Sequence, residues 1–191
     1  MRELDILLVG VGGQGTILAS RILAHVGQSA GYDIKVSEIH GMAQRGGSVV
    51  TQVRMGGKVY SPLIEESKAD IILAFEKLEA LRWLNYLKPG GSMLVNDQSI
   101  SPVPVLAGLA EYPEDINEYL KSKVKDTVIV DALNIARECG NVKAANVVLV
   151  GLLAKRLPFA MELWQEALNA RVPAKFLDVN RKAFSAGYNI S

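Results

Sequence analysis

Three glycines with fixed spacing, Gly10-x-Gly12-x-x-Gly15, directly follow the first apolar run of the chain. Glycines let the backbone turn tightly and approach a ligand closely, and the N-terminus of a following helix offers free N–H groups and partial positive charge to an anion. Gly13 adds a second adjacent position without a side chain, and Gln14 places an amide that can donate and accept hydrogen bonds at the mouth of the helix. These residues predict a turn that favours an anionic ligand.

The same spacing fits a dinucleotide-binding fingerprint, which also requires an acid near the end of the second strand, about 20 residues further on. Glu38 meets that requirement approximately, because 38 − 15 = 23 residues separate it from Gly15. A lone glycine motif is weak support, and the segment after Glu38 is longer than the short loop of such folds. Three interpretations therefore stay open: bound NAD or FAD, another anionic group, or glycines that only allow a strand and a helix to pack closely.

A second candidate site is a polar, glycine-containing segment, which we interpret as the end of a loop over residues 37–47 and the start of the next strand. Its residues are Gln44, Arg45, Gly46, Gly47 and Ser48. A guanidinium on a glycine-flanked loop can hold a phosphate or carboxylate in bidentate geometry, although Arg45 could also be solvated or paired with Glu38. Loops that follow parallel strands leave the same edge of a sheet, so residues 12–14 and 38–45 are expected to converge on one rim.

Apolar runs and helical periods predict the elements that must position these loops. Strands are predicted at 5–9, 32–36, 48–54, 69–75, 92–95 and 127–130, and Gly56-Gly57 predicts a hairpin turn with a returning strand at 58–60. Helices are predicted at 16–26, 77–87, 115–124, 133–138, 143–157 and 160–170, and a last one opens at Pro173. The helix at 143–157 is nearly apolar all round and is therefore expected to be buried.

This order of elements predicts an α/β, Rossmann-like, three-layer domain with a mostly parallel sheet, a β-hairpin insertion and a helical C-terminal region. The length suits a single domain over 1–191, with an α/β core at about 1–132 and a helical part at about 133–191.

The composition is that of an ordinary packed globular protein, with 49% hydrophobic and 21% charged residues and a net charge of +1. Such a balance predicts no broad attraction to nucleic acid or to a membrane, and the longest apolar run, 147–154, is too short to span a bilayer. The one cysteine, Cys139, can form neither an internal disulfide nor a four-cysteine metal or iron–sulfur site. A cytoplasmic location fits, and we predict no catalytic residue and no metal site on this chain.

Three ordered motifs carry a resemblance to a known family. They are Gly10-Val11-Gly12-Gly13-Gln14-Gly15, then Ser37-Glu38-x-x-Gly41-Met42-Ala43-Gln44-Arg45-Gly46-Gly47-Ser48-Val49, then Ala136-x-x-x-Gly140-x-x-x-Ala144-Ala145-Asn146-Val147-x-x-x-Gly151. Together they resemble the gamma-type domain of the 2-oxoacid:ferredoxin oxidoreductases over nearly the whole chain. The second motif is far more specific than the glycine turn.

Within that family, the C-terminal part is most similar to the small subunits of the indolepyruvate-oxidising branch. The resemblance implies a non-redox subunit, inactive alone, that binds no cofactor by itself. A larger alpha subunit would carry thiamine diphosphate and iron–sulfur clusters. The complex would oxidatively decarboxylate 2-oxoacids, above all indolepyruvate and other aryl pyruvates, to an acyl-CoA, with coenzyme A as co-substrate and ferredoxin as electron acceptor. Alternatives are a gamma subunit acting on pyruvate, 2-oxoglutarate or 2-oxoisovalerate, or a stand-alone dinucleotide-binding domain.

The resemblance also implies that this chain packs beside the thiamine-binding domains and helps to shape the substrate or coenzyme A side of the site. The residues carried over to that role are Gly12, Gly13, Gln14, Glu38, Gln44, Arg45, Gly46 and Ser48. Asn146 is expected to hydrogen-bond a loop backbone, which is a structural role.

Overall fold

Six strands and eight helices are formed by residues 2–41 and 47–190, the part of the chain that the computed structural model describes. The strands are β1 (Leu4–Val11), β2 (Asp33–His40), β3 (Ser48–Gly56), β4 (Ala69–Ala74), β5 (Leu87–Asn96) and β6 (Asp126–Val130). The helices are α1 (Thr16–Ser29), α2 (Lys77–Arg82), α3 (Val103–Leu106), α4 (Ile116–Lys123), α5 (Ala132–Glu138), α6 (Ala145–Ala154), α7 (Met161–Arg171) and α8 (Leu177–Tyr188).

The six strands form one sheet in the order β2-β3-β1-β4-β5-β6. β3 runs antiparallel to both of its neighbours, and the pairs β1–β4, β4–β5 and β5–β6 are parallel. The prediction of a mostly parallel α/β sheet is therefore confirmed. The crossover from β1 through α1 leads to β2, which lies one strand further out because β3 occupies the place beside β1.

The predicted hairpin at Gly56-Gly57 is wrong in its partner strand. Residues 58–60 form no strand, and β3 instead pairs with β1 on one side and with β2 on the other. The true hairpin joins β2 to β3. Two long strands satisfy the backbone groups of β3 on both sides, so the local turn signal has no free edge to pair with.

β2 is also longer than predicted, because its pairing with β3 continues from Asp33 to His40. Ser37 and Glu38 are therefore strand residues and not part of a loop. A period-2 strand at the sheet edge tolerates polar side chains on its exposed positions, which the loop prediction overlooked.

Two apolar cores lie on the two faces of the sheet, which gives the predicted three layers. Alternate side chains of β1 enter different cores: Ile6 and Leu8 face α1, α6, α7 and α8, whereas Leu7 and Val9 face α2 and α4. Both faces of β1 are consequently buried, and its C-terminal end leads directly into the glycine turn.

α6 is buried almost all round, as its sequence predicts, and it crosses α8 at very short range. A Cβ atom at Gly151 would collide with the Phe184 carbonyl of α8, and one at Gly187 would collide with the Val148 carbonyl of α6. The two helices can approach this closely only because each presents a glycine at the crossing. The crossing fixes the position of the N-terminus of α6, which borders the glycine turn.

Candidate functional site

The glycine turn meets the end of the β2–β3 connection, at Gly47, at the carboxyl edge of the sheet. The backbone N–H of Gly12 donates to the carbonyl of Gly47 at 3.0 Å, and the N–H of Gly41 donates to the carbonyl of Ser48 at 2.8 Å. Gln44, Arg45 and Gly46 lie outside the described residues, so the proposed clamp by Arg45 stays a prediction.

Gln14 uses both ends of its side-chain amide to tie the turn to the neighbouring strands. Its Oε1 accepts from the N–H of Val11 at 2.7 Å, and its Nε2 donates to the carbonyl of Phe75 at 2.8 Å and to Gln98 Oε1 at 2.9 Å. Backbone partners on both sides determine which end is oxygen and which is nitrogen. The side chain therefore orients the turn, and its amide already has partners within the chain.

Asn96 and Gln98 extend this amide network across the ends of β4, β5 and β6, and the sequence interpretation missed both of them. Asn96 is 2% exposed; its Nδ2 donates to the carbonyl of Phe75 at 3.0 Å and to Gln98 Oε1 at 3.1 Å, and its Oδ1 accepts from the N–H of Ala132 at 3.0 Å. The available signal was their position directly after a buried parallel strand, where ligand-facing polar side chains collect.

Asn146 contacts the turn from the opposite side, at the start of α6. Its Nδ2 donates to the carbonyl of Gly15 at 3.3 Å, in line with the expected structural role. Gly15 has φ +83°, and a side chain there would collide with the Asn146 amide. Asn146 is 7% exposed, and its Oδ1 has no hydrogen-bond donor among the described residues. A buried acceptor of this kind could receive a hydrogen bond from a ligand.

These groups line a cleft of about 460 Å³ between the glycine turn and the N-terminal end of α6. Its lining residues are Gly13, Gln14, Gly15, Phe75, Asn96, Gln98, Leu133, Val142, Lys143, Ala145, Asn146 and Leu149. None of these residues is acidic, and Lys143 is a cation. In the described part of the chain, no side chain caps the N-terminus of α1, and its N-cap residue, Gly15, lines the cleft, so the partial positive charge of this helix end lies next to the cleft. The cleft therefore favours an anion.

The cleft lies beside β1 and β4, where successive crossovers leave the sheet in opposite directions. α1 leads from β1 to β2 on one side of the sheet order, and α2 leads from β4 to β5 on the other. Open α/β sheets bind their ligands at such a switch point. A larger hollow of about 730 Å³ lies at the opposite, amino edge, around Pro89–Gly91. We favour the smaller cleft because the glycine turn, the amide network and a helix N-terminus converge there.

Glu38 does not lie at this cleft. It pairs in register with Thr51, which in turn pairs with Leu8, so two strand spacings, about 10 Å, separate Glu38 from β1. Among the described residues, Glu38 lies beside His40, with Glu38 Oε1 and His40 Nε2 3.7 Å apart. A ribose-binding acid would have to lie on the strand beside β1, and the antiparallel β3 occupies that place. The arrangement disfavours the dinucleotide interpretation.

Ser48 is held at the base of the β2–β3 connection. Its Oγ donates to Glu79 Oε2 at 2.5 Å, and Arg82 Nη1 lies 2.6 Å from the other carboxylate oxygen. Glu79 is almost completely buried on α2, so this pair fixes the first residue of β3 against the next layer. Like Gln14, Ser48 therefore holds a loop in place at the carboxyl edge of the sheet.

Within residues 2–41 and 47–190, no group of three or more His, Cys, Asp or Glu side chains could hold a metal ion. The same residues contain no helix long and apolar enough to cross a membrane.

The model of a pyruvate ferredoxin/flavodoxin oxidoreductase family matches residues 5–190. An indolepyruvate oxidoreductase subunit IorB of Pyrococcus horikoshii is 44% identical, covering 98% of this chain and 95% of the relative. The protein of the same name from Archaeoglobus fulgidus is 42% identical, over 98% of this chain and 94% of the relative. A pyruvate/ketoisovalerate oxidoreductases common subunit gamma of Thermococcus kodakarensis is 25% identical, over 97% and 96%.

Two solved structures of 2-oxoacid ferredoxin oxidoreductases have the same fold as this chain. The gamma subunit of a keto/oxoacid ferredoxin oxidoreductase from Geobacter sulfurreducens superimposes with a TM-score of 0.72 at 26% identity, covering 97% of this chain and 96% of that one. A 2-oxoglutarate:ferredoxin oxidoreductase from Magnetococcus marinus, with 2-oxoglutarate, coenzyme A and succinyl-CoA bound, has the same fold, with a TM-score of 0.74 at 20% identity. The match covers 98% of this chain and 31% of that longer chain. The chain therefore belongs to the pyruvate ferredoxin/flavodoxin oxidoreductase family.

Proposed function

We propose that this chain, as one gamma-type domain, is the non-redox subunit of a complex that oxidatively decarboxylates indolepyruvate and other aryl pyruvates to acyl-CoA, with ferredoxin as electron acceptor. One observation carries the proposal: relatives named for indolepyruvate are 34–44% identical over nearly their whole length, whereas the pyruvate/ketoisovalerate subunit is 25% identical. A gamma subunit of a pyruvate or 2-oxoisovalerate enzyme is the second candidate.

The redox groups of such a complex do not fit this chain. An iron–sulfur cluster requires several cysteine ligands, and the sequence contains only Cys139, which is half-buried at the end of α5. We therefore assign the clusters, together with thiamine diphosphate, to a larger alpha subunit. No electron-transfer step passes through the residues of this chain, and the chain alone has no activity.

The role of this chain is to bind and orient coenzyme A at the cleft. The N-terminus of α1 and the ammonium of Lys143 offer positive charge to a phosphate, and the amide of Gln98 can donate a hydrogen bond. Gly12 and Gly13 let a ligand approach the backbone, while Gln14 and Ser48 hold the turn and the β2–β3 connection in place. Arg45 is proposed to bind a second anionic group of coenzyme A or of the substrate.

Assembly tests the subunit assignment. The chain is co-expressed with the larger indolepyruvate oxidoreductase subunit encoded in the same genome, and each is also expressed alone. We expect a colourless, inactive chain and a brown complex that reduces ferredoxin with indolepyruvate and coenzyme A. Full cluster loading and full turnover by the larger subunit alone would contradict the proposal. A higher kcat/KM for pyruvate than for indolepyruvate would favour the second candidate.

A charge-removal variant tests the coenzyme A site. In the assembled complex, Lys143→Ala is expected to raise the KM for coenzyme A by about 5–10-fold with little change in kcat, since a charge-assisted contact to a bound anion contributes roughly 1–1.4 kcal/mol at a solvent-accessible site. Lys182→Ala, which removes an exposed lysine from α8, is the matched control and should leave that KM unchanged. Arg45→Ala is measured in the same way. An unchanged KM in both Lys143→Ala and Arg45→Ala would exclude coenzyme A binding by these two residues.

A further inference from the structure

An exposed apolar segment, residues 102–110, follows the amide network at the carboxyl edge of the sheet. It includes α3 and carries three large side chains that are mostly exposed: Val103 at 60%, Leu106 at 75% and Leu109 at 82%. No charged residue occurs between Asp97 and Glu111. Isolated exposed apolar side chains are common on proteins, but a contiguous uncharged patch of this kind marks an interaction surface.

The apolar segment is held in a defined conformation although its side chains project outward. The N–H groups of Leu106 and Ala107 donate to the carbonyls of Pro102 and Val103 at 3.1 and 2.9 Å, and the N–H of Leu109 donates to the carbonyl of Pro104 at 2.9 Å. These bonds pre-organise the side chains, so that docking them costs little conformational entropy.

Buried Glu76, the N-cap residue of α2, holds the chain just outside the apolar segment on both of its sides. Its Oε1 accepts from the N–H of Ile100 at 3.0 Å and from the hydroxyl of Tyr112 at 2.5 Å. Burial raises the pKa of Tyr112 above its ordinary value, and the nearby carboxylate raises it further, so the hydroxyl remains a donor at neutral pH. The Glu76 side chain is only 1% exposed, and burying an acidic group is costly unless its hydrogen bonds are satisfied. Its two hydrogen bonds therefore fix the conformation of the exposed segment between them.

The apolar segment also continues directly from the proposed coenzyme A site. Gln98, which lines the cleft, precedes Pro102 by four residues, and exposed Val142 lies on the other side of the cleft. In the Magnetococcus marinus enzyme the same fold makes up 31% of a longer chain, so there it is joined covalently to the rest of the polypeptide. The relatives named indolepyruvate oxidoreductase subunit IorB are matched over 94–95% of their own length, so in them this fold is not joined to a much longer polypeptide and surface contacts must hold the other subunit.

We propose that the apolar segment is the central anchor by which this chain docks on the larger, thiamine-binding subunit, a proposal that rests on the proposed function above. A stable interface buries about 800 Å² on each partner, roughly a twelfth of the 9709 Å² surface of this chain. The apolar segment supplies the well-ordered apolar centre of such an area, where most binding energy concentrates. Docking at this position places the larger subunit beside the cleft.

The test compares two double variants in binding to the larger subunit. Leu106→Glu with Leu109→Glu charges the apolar segment, whereas Tyr60→Glu with Leu63→Glu charges two other large exposed residues, 84% and 56% exposed, beyond the end of β3 at the amino edge. Thermal unfolding of each isolated chain checks that the fold is retained. We expect the first variant to bind the larger subunit at least about 100-fold more weakly than wild type, and the control to bind within about 3-fold of it.

The outcomes separate this inference from the proposed function. If the wild-type chain does not bind the larger subunit, both fail. If the wild type binds and the Leu106/Leu109 variant binds equally tightly, only the docking inference is wrong. Sedimentation of the chain alone gives a further check: a wild-type dimer that this variant converts to monomer, with binding to the larger subunit intact, would assign the apolar segment to self-association and overturn the inference.

Discussion

Replacement of Gln14 by alanine should lower stability measurably, because one side chain makes three hydrogen bonds that join β1, β4 and the end of β5. A typical hydrogen bond contributes about 1 kcal/mol net, and water from the adjacent cleft can replace part of the loss. We therefore expect Gln14→Ala to reduce the free energy of unfolding by about 2–3 kcal/mol. For a chain of this size the midpoint of thermal unfolding falls by roughly 4–12 °C.

Urea unfolding followed by circular dichroism measures this change in the free energy of unfolding. Two further variants test whether the hydrogen bonds of Gln14 are its cause. Gln28→Ala removes an exposed glutamine from the last turn of the same helix and should change the unfolding free energy by less than about 0.5 kcal/mol. Gln14→Glu keeps the size of the side chain but, at neutral pH, turns a second carboxylate oxygen toward the Phe75 carbonyl and Gln98 Oε1. It should destabilise at least as much as alanine does. The reasoning fails if Gln14→Ala behaves like Gln28→Ala, or if Gln14→Glu matches wild type at pH 7.

Two other predictions concern the helix crossing and one titrating group. Gly151→Ala should cost about 3 kcal/mol or more, or prevent folding, because the new methyl group meets a backbone carbonyl that cannot rotate away, whereas Gly57→Ala, which faces open space, should be nearly neutral by urea unfolding. A hydrogen bond from Asn117 and the ammonium of Lys77 lower the pKa of Asp97 from its ordinary value of 3.8. The stabilisation by ionised Asp97 is therefore fully present above about pH 4–5 and is lost as the pH falls through its lowered pKa. The stability difference between wild type and Asp97→Asn should accordingly shrink below pH 4, and a constant difference would argue against the contact.

Several helices and strands can be predicted from local sequence alone. A short apolar run closed by glycine predicts β1, an amphipathic period predicts α1, and an apolar stretch without a polar face predicts buried α6. Each of these signals depends on neighbours within a few residues, so no knowledge of the rest of the chain is needed.

The sequence interpretation failed where pairing across long separations decides the structure. β3 lies between β1 and β2, and this placement both abolishes the predicted return strand at 58–60 and moves Glu38 away from the turn. Strand order depends on which edges can pair and stay covered, and no local period encodes it. The helix predicted at 77–87 also ends early, at Arg82, because Leu87 is already paired with Ala69 in the sheet.

By itself the sequence determined the α/β class, the glycine turn at the end of the first strand and, through its three motifs, the family. Only the tertiary structure decided what surrounds that turn. Gln14 meets Gln98 across 84 positions of sequence, and Asn146 meets Gly15 across 131. Such contacts arise when parallel strands bring their carboxyl ends to one edge of a sheet, and hydrogen bonding then selects the side chains that fit. The cleft is therefore a property of the sheet order as much as of the glycines that border it.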